Sequence, residues 1–152
     1  MPHQNKIGTS WTGIYWLLVA IETASAAIML WRGVPIYRNL LPGNDIAPVD
    51  ASVLAAATVT VAGVQVPYWI ATLKVLPLAV IGRHVVAAHL VLFLARLNFV
   101  FVSSLFVVIF FVRNDDIEFV WWRALMLFAV LFSMFCFTLE LERLGKRLLG
   151  ER

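Results

Sequence analysis

The chain has 152 residues, of which 62% are hydrophobic and only 14% are charged, and its formal net charge is +3. A water-soluble domain is closer to half apolar and a quarter charged, so a soluble globule of this size would have more apolar surface than it can bury. The apolar residues form long runs without the two-residue alternation of outer-membrane strands, which predicts an all-α membrane protein with four transmembrane helices in one bundle and excludes a β-barrel.

The first two predicted spans flank a polar connector. Residues 11–31 form the first span, with Trp11 and Trp31 as aromatic anchors at its two ends. The connector, residues 32–52, contains three prolines, which favour a loop. The second span, residues 53–73, is rich in alanine, glycine and threonine, and because small side chains let helices approach closely, we expect this helix at the centre of the bundle.

The second half of the chain contains two further spans. Residues 74–89 mix basic residues, glycine and proline with apolar ones, which indicates an interfacial segment between helices 2 and 3. The third span, residues 90–112, is about 34 Å long as a helix, close to the thickness of a bilayer's hydrocarbon core. A short charged turn (residues 113–118) leads to the fourth span, residues 119–139, whose helix can continue into the tail. All 152 residues are expected to form one membrane domain.

The basic residues predict the orientation of these spans. An even number of crossings places both termini on one side of the membrane. Seven basic residues flank the spans on that side: Lys6, Lys74, Arg83, Arg143, Lys146, Arg147 and Arg152. Four lie on the other side: Arg32, Arg38, Arg113 and Arg123. Because cytoplasmic loops carry the excess of lysine and arginine, both termini are expected in the cytoplasm, with the protein in an inner or plasma membrane.

Glu22 is the least expected residue in the apolar runs. It follows Trp11 by eleven residues, which places it roughly 16 Å into the membrane as a helix. A carboxylate at that depth is costly unless it is protonated, paired or in contact with water. Two interpretations follow: a proton- or cation-binding group in a transport path, or a buried acid that sets helix packing.

Arg96 is the candidate partner of Glu22. It lies roughly 9 Å beyond Leu90, the start of the predicted third span. Its guanidinium could pair with Glu22 or extend back toward the headgroups. Because His89, Arg96 and Ser103 are seven residues apart, they are expected to form a polar stripe that faces the bundle interior or a partner subunit.

Gln65 and Asn98 are the other two candidate binding residues. Gln65 lies near the middle of the second span and Asn98 lies in the third. With Glu22 and Arg96 they are expected to form a polar cluster inside the bundle. Such a cluster either holds the helices together through hydrogen bonds or forms a solute or ion site.

The sequence offers little that predicts catalysis, metal binding or nucleic-acid binding. Cys136 is the only cysteine, and His84 and His89 lie about 140° apart around a helix, so neither a metal site nor a cofactor is expected within the chain. A haem completed by a partner subunit is the remaining alternative. Glu140 and Glu142 are expected on a solvated interfacial face, not as a catalytic pair. The basic residues lie beside membrane spans, so no nucleic-acid partner is expected.

These observations favour a non-enzymatic accessory or structural subunit of a membrane complex. Its expected partners are the lipid bilayer and either further copies of itself or other membrane subunits. The alternative function is a small ion- or proton-coupled transporter or channel component that uses Glu22.

Overall fold

The computed structural model describes residues 5–40, 51–73, 84–112 and 121–150, and these residues are almost entirely helical. The helices are α1 (Asn5–Leu40), α2 (Ala51–Leu73), α3 (Val85–Val107) and α4 (Trp121–Leu149). A π-helical turn, Val108–Val112, continues α3. The prediction of an all-helical fold is confirmed for the described residues.

All four helices contain a segment that is long and apolar enough to cross a membrane. These segments are Thr12–Pro35, Ala51–Leu73, Val85–Phe111 and Trp121–Leu149. Their outward surface is apolar as well, since Trp31, Val86 and Phe111 are 79%, 85% and 75% exposed. Large exposed apolar surfaces of this kind are rare on water-soluble monomers and are typical of surfaces that contact lipid or other proteins.

The boundaries of two helices, α1 and α3, differ from the predictions, whereas α4 extends as expected. Helix α1 continues through Pro35 to Leu40, so the first part of the predicted connector is helical. Helix α3 begins at Val85, so the last part of the predicted interfacial segment belongs to α3. Helix α4 continues into the tail to Leu149, as the sequence indicated. In α1 and α3 a polar or cyclic residue was taken as a helix end, although a helix tolerates such residues on its exposed side or where one backbone donor is lost.

Some predictions lie outside the described residues. They are the remaining parts of the predicted connector and interfacial segment (residues 41–50 and 74–83) and the charged turn (residues 113–118).

Neighbouring helices in the sequence run in opposite directions. Tyr15 near the start of α1, Ala88 near the start of α3 and Leu148 near the end of α4 belong to one apolar cluster. Helices α2 and α4 run in the same direction, because Gln65 contacts Ser133 and the later residue Thr72 contacts the later residue Arg143. The starts of α1 and α3 therefore lie at the same end of the bundle as the ends of α2 and α4. We call this the terminal end.

Helix α4, not α2, is the most enclosed helix. It packs against α3, α2 and α1, whereas α2 lies between α1 and α4. Ten described residues of α4 are buried, against four of α2. The expectation of a central second helix fails because its small residues lie all around the helix, so that Ala55 and Ala62 are exposed and do not mark a packing face.

Candidate functional site

Glu22 lies on the buried face of α1. Tyr15, Glu22 and Met29 are seven residues apart, and all three are buried against the rest of the bundle. The Glu22 side chain is only 1% exposed, and neither of its carboxyl oxygens has a hydrogen-bond partner. The structure therefore confines a carboxyl group to a buried helix contact without the hydrogen bonds that usually accompany burial.

The charged groups near Glu22 belong to α4. Glu140 and Arg143 both lie within electrostatic range of its carboxyl group. Glu140 is itself 5% exposed. The carboxyl groups of Glu22 and Glu140 thus lie near a single guanidinium, that of Arg143. Because the acidic groups outnumber the basic one, this region is a candidate site for a bound proton or cation.

A hydrogen-bonded chain runs from α1 through α4 to α2 at the terminal end. The Tyr15 hydroxyl donates to Oε1 of Glu140 at 3.0 Å. Nη1 of Arg143 lies 3.4 Å from Oε2 of Glu140 and donates to the Thr72 hydroxyl at 2.8 Å. The Arg143 guanidinium also lies over the Tyr68 ring, 5.3 Å from its centre. We call these five residues the Glu140 network.

The sequence-based interpretation missed the Glu140 network. Glu140 was assigned to a solvated interfacial face, because it lies near charged residues in the tail, and this was wrong. It is buried because α4 remains packed beyond the predicted end of the span, where Leu144 and Leu148 are buried on the same face. The spacing of four residues from Glu140 to Leu144, and of four more to Leu148, was the available signal.

Gln65 joins α2 to α4. Its Nε2 donates to the Ser133 hydroxyl at 3.2 Å and lies 3.7 Å from the sulfur of Cys136. Its Oε1 accepts a hydrogen bond from the Trp69 indole at 2.8 Å. The amide donor and acceptor therefore both have partners among the described residues, and the donor links α2 to α4.

Asn98 joins α3 to α4. Its Nδ2 donates to the Met134 carbonyl at 3.0 Å and to the Thr138 hydroxyl at 2.9 Å, while its buried Oδ1 has no partner. The amide donors therefore bind one helix to the other across a contact that is otherwise apolar.

Arg96 points away from the other three candidates. It is exposed, and among the described residues it makes neither an ion pair nor a hydrogen bond. The proposed Glu22–Arg96 pair is therefore not formed. Within the described chain, hydrogen bonds do not join any two of the four predicted residues, so the expected single polar cluster is absent: Gln65 and Asn98 reach α4 separately.

The polar stripe on α3 does not face the interior of the bundle, so of the two expected positions only contact with a partner subunit stays a prediction. His89 and Arg96 are exposed and Ser103 is half-buried, whereas the buried residues are Ala88 and Ala95. A shift of one residue corresponds to a rotation of about 100° around a helix. Small side chains at Ala88 and Ala95 allow the close approach to α4, and this packing outweighs the preference for burying a polar stripe.

The remaining titratable residues do not form a metal site among the described residues, where no group of three histidine, cysteine or acidic side chains converges. His84 and His89 are both exposed. Comparisons of the chain with protein families, with curated proteins and with solved structures found no match.

Proposed function

We propose that this chain is a multi-pass membrane protein that acts as a non-enzymatic subunit of a larger membrane complex. Its four apolar helices and their exposed aromatic and aliphatic side chains support a location in the bilayer. The excess of basic residues near the terminal end supports an orientation with both termini in the cytoplasm, in an inner or plasma membrane.

The interior polar groups support a role in holding the bundle together. The Tyr15 hydroxyl, the Gln65 and Asn98 amides and the Arg143 guanidinium each bridge two helices. Such bridges are worth about 0.6 kcal/mol each on average, so several of them together define which helix faces meet. Glu22 is sealed in a helix contact, which favours packing over a water-filled path.

The exposed position of Arg96 is the observation that carries the assignment to a complex. A guanidinium far from both ends of an apolar helix is costly in lipid, and such residues normally face a protein interior or an aqueous cavity. Arg96 faces outward from its own bundle. A neighbouring protein at this surface would give it the polar environment that the described residues do not supply.

This proposal is tested by the mass of the particle that contains the chain. The native membrane is solubilised in a mild detergent, and the mass of the particle is compared with the 17.1 kDa of a single chain. A particle of defined stoichiometry that is also captured by crosslinking before solubilisation is expected. A single chain in both measurements would contradict the proposal.

A second candidate function is ion- or proton-coupled transport through Glu22. It is favoured by the two unpartnered oxygens of a carboxyl group that is only 1% exposed, a feature that stable packing does not require.

Flux measurements test this second function. The purified chain is reconstituted in vesicles, and flux is followed under imposed proton, sodium and potassium gradients. If the chain is a transporter, Glu22→Gln should abolish the flux. Glu142 is a half-buried acid on α4, and the control variant Glu142→Gln should leave the flux intact. A wild-type protein without flux under all three gradients would contradict this function.

A further inference from the structure

The outward face of α3 carries a continuous stripe of exposed residues around Arg96. His89, Phe93, Arg96 and Val100 are separated by four, three and four positions, which places them on one side of the helix. All four are exposed, with Phe93 at 61% and Val100 at 62%. We call these four residues the Arg96 stripe.

Arg96 lies deep within the apolar segment of α3. It follows Val85, the first residue of the helix, by eleven positions, or roughly 16 Å along the axis. The apolar segment extends to Phe111, so Arg96 is far from both ends. Its exposed neighbours, such as Leu97, are apolar, and an isolated cation in such a surface requires a counter-charge or a route to water.

A shallow, open depression lies beside the Arg96 stripe among the described residues. It is toward the terminal end and is lined by residues that include Val86, His89, Leu90 and Phe93. A helix packed along the stripe would place an apolar side chain in this depression one to two turns from Arg96. The surface therefore offers both a charge and a shape to a partner.

We propose that the Arg96 stripe docks a transmembrane helix of another protein that carries a carboxylate at the depth of Arg96. This inference rests on the proposed function as a subunit. A guanidinium and a carboxylate form two parallel hydrogen bonds, and the pair is strengthened where water is excluded. His89, about two turns nearer the terminal end, would supply a further polar contact.

The charge of the Arg96 stripe also argues against a second copy of this chain as the partner. Two copies with the same orientation in a membrane are related by a twofold axis along the membrane normal. Contact through the same stripe would bring the two Arg96 side chains together at equal depth, and like charges in an apolar interface repel. An acid-bearing helix from a different protein satisfies the stripe without this repulsion.

The test uses synthetic helices of defined sequence as probes. Each is a membrane-spanning leucine–alanine peptide with one central guest residue, either glutamate, glutamine or lysine. Binding to the purified full chain is measured by energy transfer in phosphatidylcholine vesicles, which contain no anionic lipid. The glutamate peptide is expected to bind about tenfold more tightly than the glutamine peptide.

Variants of Arg96 distinguish a specific charge contact from nonspecific apolar association. Arg96→Leu should abolish the preference for glutamate, and Arg96→Glu should transfer the preference to the lysine peptide. Because Arg96 is exposed, both variants should retain the melting temperature of the wild type. A double variant, Arg96→Leu with Val59→Arg, moves the arginine to a 70% exposed position on α2 and should not restore the preference.

Two results would overturn the docking proposal. Equal affinities for the three peptides would show that Arg96 reaches the headgroups instead of a partner. Full recovery with the arginine at position 59 would show that the α3 surface itself is not recognised. If the chain still purifies within a larger particle, either result contradicts only the docking proposal and leaves the proposed subunit function intact. A chain that is found alone in its native membrane contradicts the subunit function, whatever the peptide measurements show.

Discussion

Glu22 and Arg96 are both ionisable residues within apolar helices, but the fold places them in opposite environments. Glu22 is buried with both oxygens unpartnered, while Arg96 is exposed on the outer face of α3. Burying a carboxyl group without hydrogen bonds lowers the stability of the fold, so Glu22 is a residue whose presence is better explained by a functional role than by stability. Asn98 differs from Glu22, because its amide donors form hydrogen bonds that join α3 to α4.

Replacing the Glu22 carboxyl group with an apolar side chain of similar size should stabilise the bundle. Glu22→Met removes a buried polar group that lacks partners while it keeps the helix contact filled, so we expect a gain of about 1 kcal/mol or more in unfolding free energy. The measurement is thermal unfolding in detergent. Glu142→Met, at a half-buried position of α4, is the control and should change stability by less than about 0.5 kcal/mol. A lower melting temperature for Glu22→Met would show that the acid stabilises the fold.

Removing the Asn98 amide should weaken the contact between α3 and α4. Asn98→Ala loses the hydrogen bonds to Met134 and Thr138, and we expect a loss of about 1 kcal/mol. Thr23→Ala is the matched control, because its exposed hydroxyl bonds only to Val19 in its own helix. Equal melting temperatures for the two variants would contradict a fastening role for Asn98.

At the scale of the helices, close approach depends on two small residues. A Cβ atom at Gly145 of α4 would lie 2.6 Å from Cγ of Leu92 in α3, and one at Gly63 of α2 would overlap the Ser25 side chain in α1. Backbones that approach this closely gain van der Waals contact, which is the main source of helix association in a bilayer. The contact of Gly145 with Leu92 and Ala88 lies on the side of α3 that faces α4, whereas Arg96 is exposed.

Adding a single methyl group at Gly145 should separate α3 from α4. Gly145→Ala forces Leu92 to move, and overpacking of this kind costs about 1–3 kcal/mol. Gly13→Ala is the control, since a Cβ at Gly13 meets nothing within 4 Å and alanine favours the helix. The comparison is again made by thermal unfolding. A Gly145→Ala variant as stable as Gly13→Ala would contradict the close packing at this position.

At the scale of the whole molecule, the alternating helices place the start of α1 and the end of α4 at one end of the bundle. The Glu140 network joins α1, α4 and α2 near that terminal end. The helices at this end are tied by the backbone as well, because the His84 amide donates to the Leu148 carbonyl at 3.2 Å.

Labelling of single cysteines should place both ends of the chain in the cytoplasm. In a Cys136→Ser background, Lys6→Cys and Gly150→Cys should react with a membrane-impermeant maleimide only from the cytoplasmic side, because the basic excess lies there. Asn44→Cys, between the first two spans, should react only from the opposite side. Labelling of positions 6 and 150 from opposite sides would contradict an even number of crossings.

The sequence by itself determined the helical class, the four apolar segments and the presence of Glu22 inside one of them. These are properties of a local stretch: a run of about twenty apolar residues is long enough to span a bilayer whatever packs beside it. The approximate positions of the helices follow from the same runs, while α1 and α3 extend beyond the predicted spans at Pro35 and His89.

Only the tertiary structure decided which way each polar side chain faces. On an apolar helix the polar residues do not mark the buried side reliably, because small residues such as Ala88 and Gly145 control how closely helices pack. A rotation of about 100°, one residue along α3, separates the buried Ala95 from the exposed Arg96. The hydrogen bond from Tyr15 to Glu140 follows from that packing, since it joins residues more than a hundred positions apart in the chain.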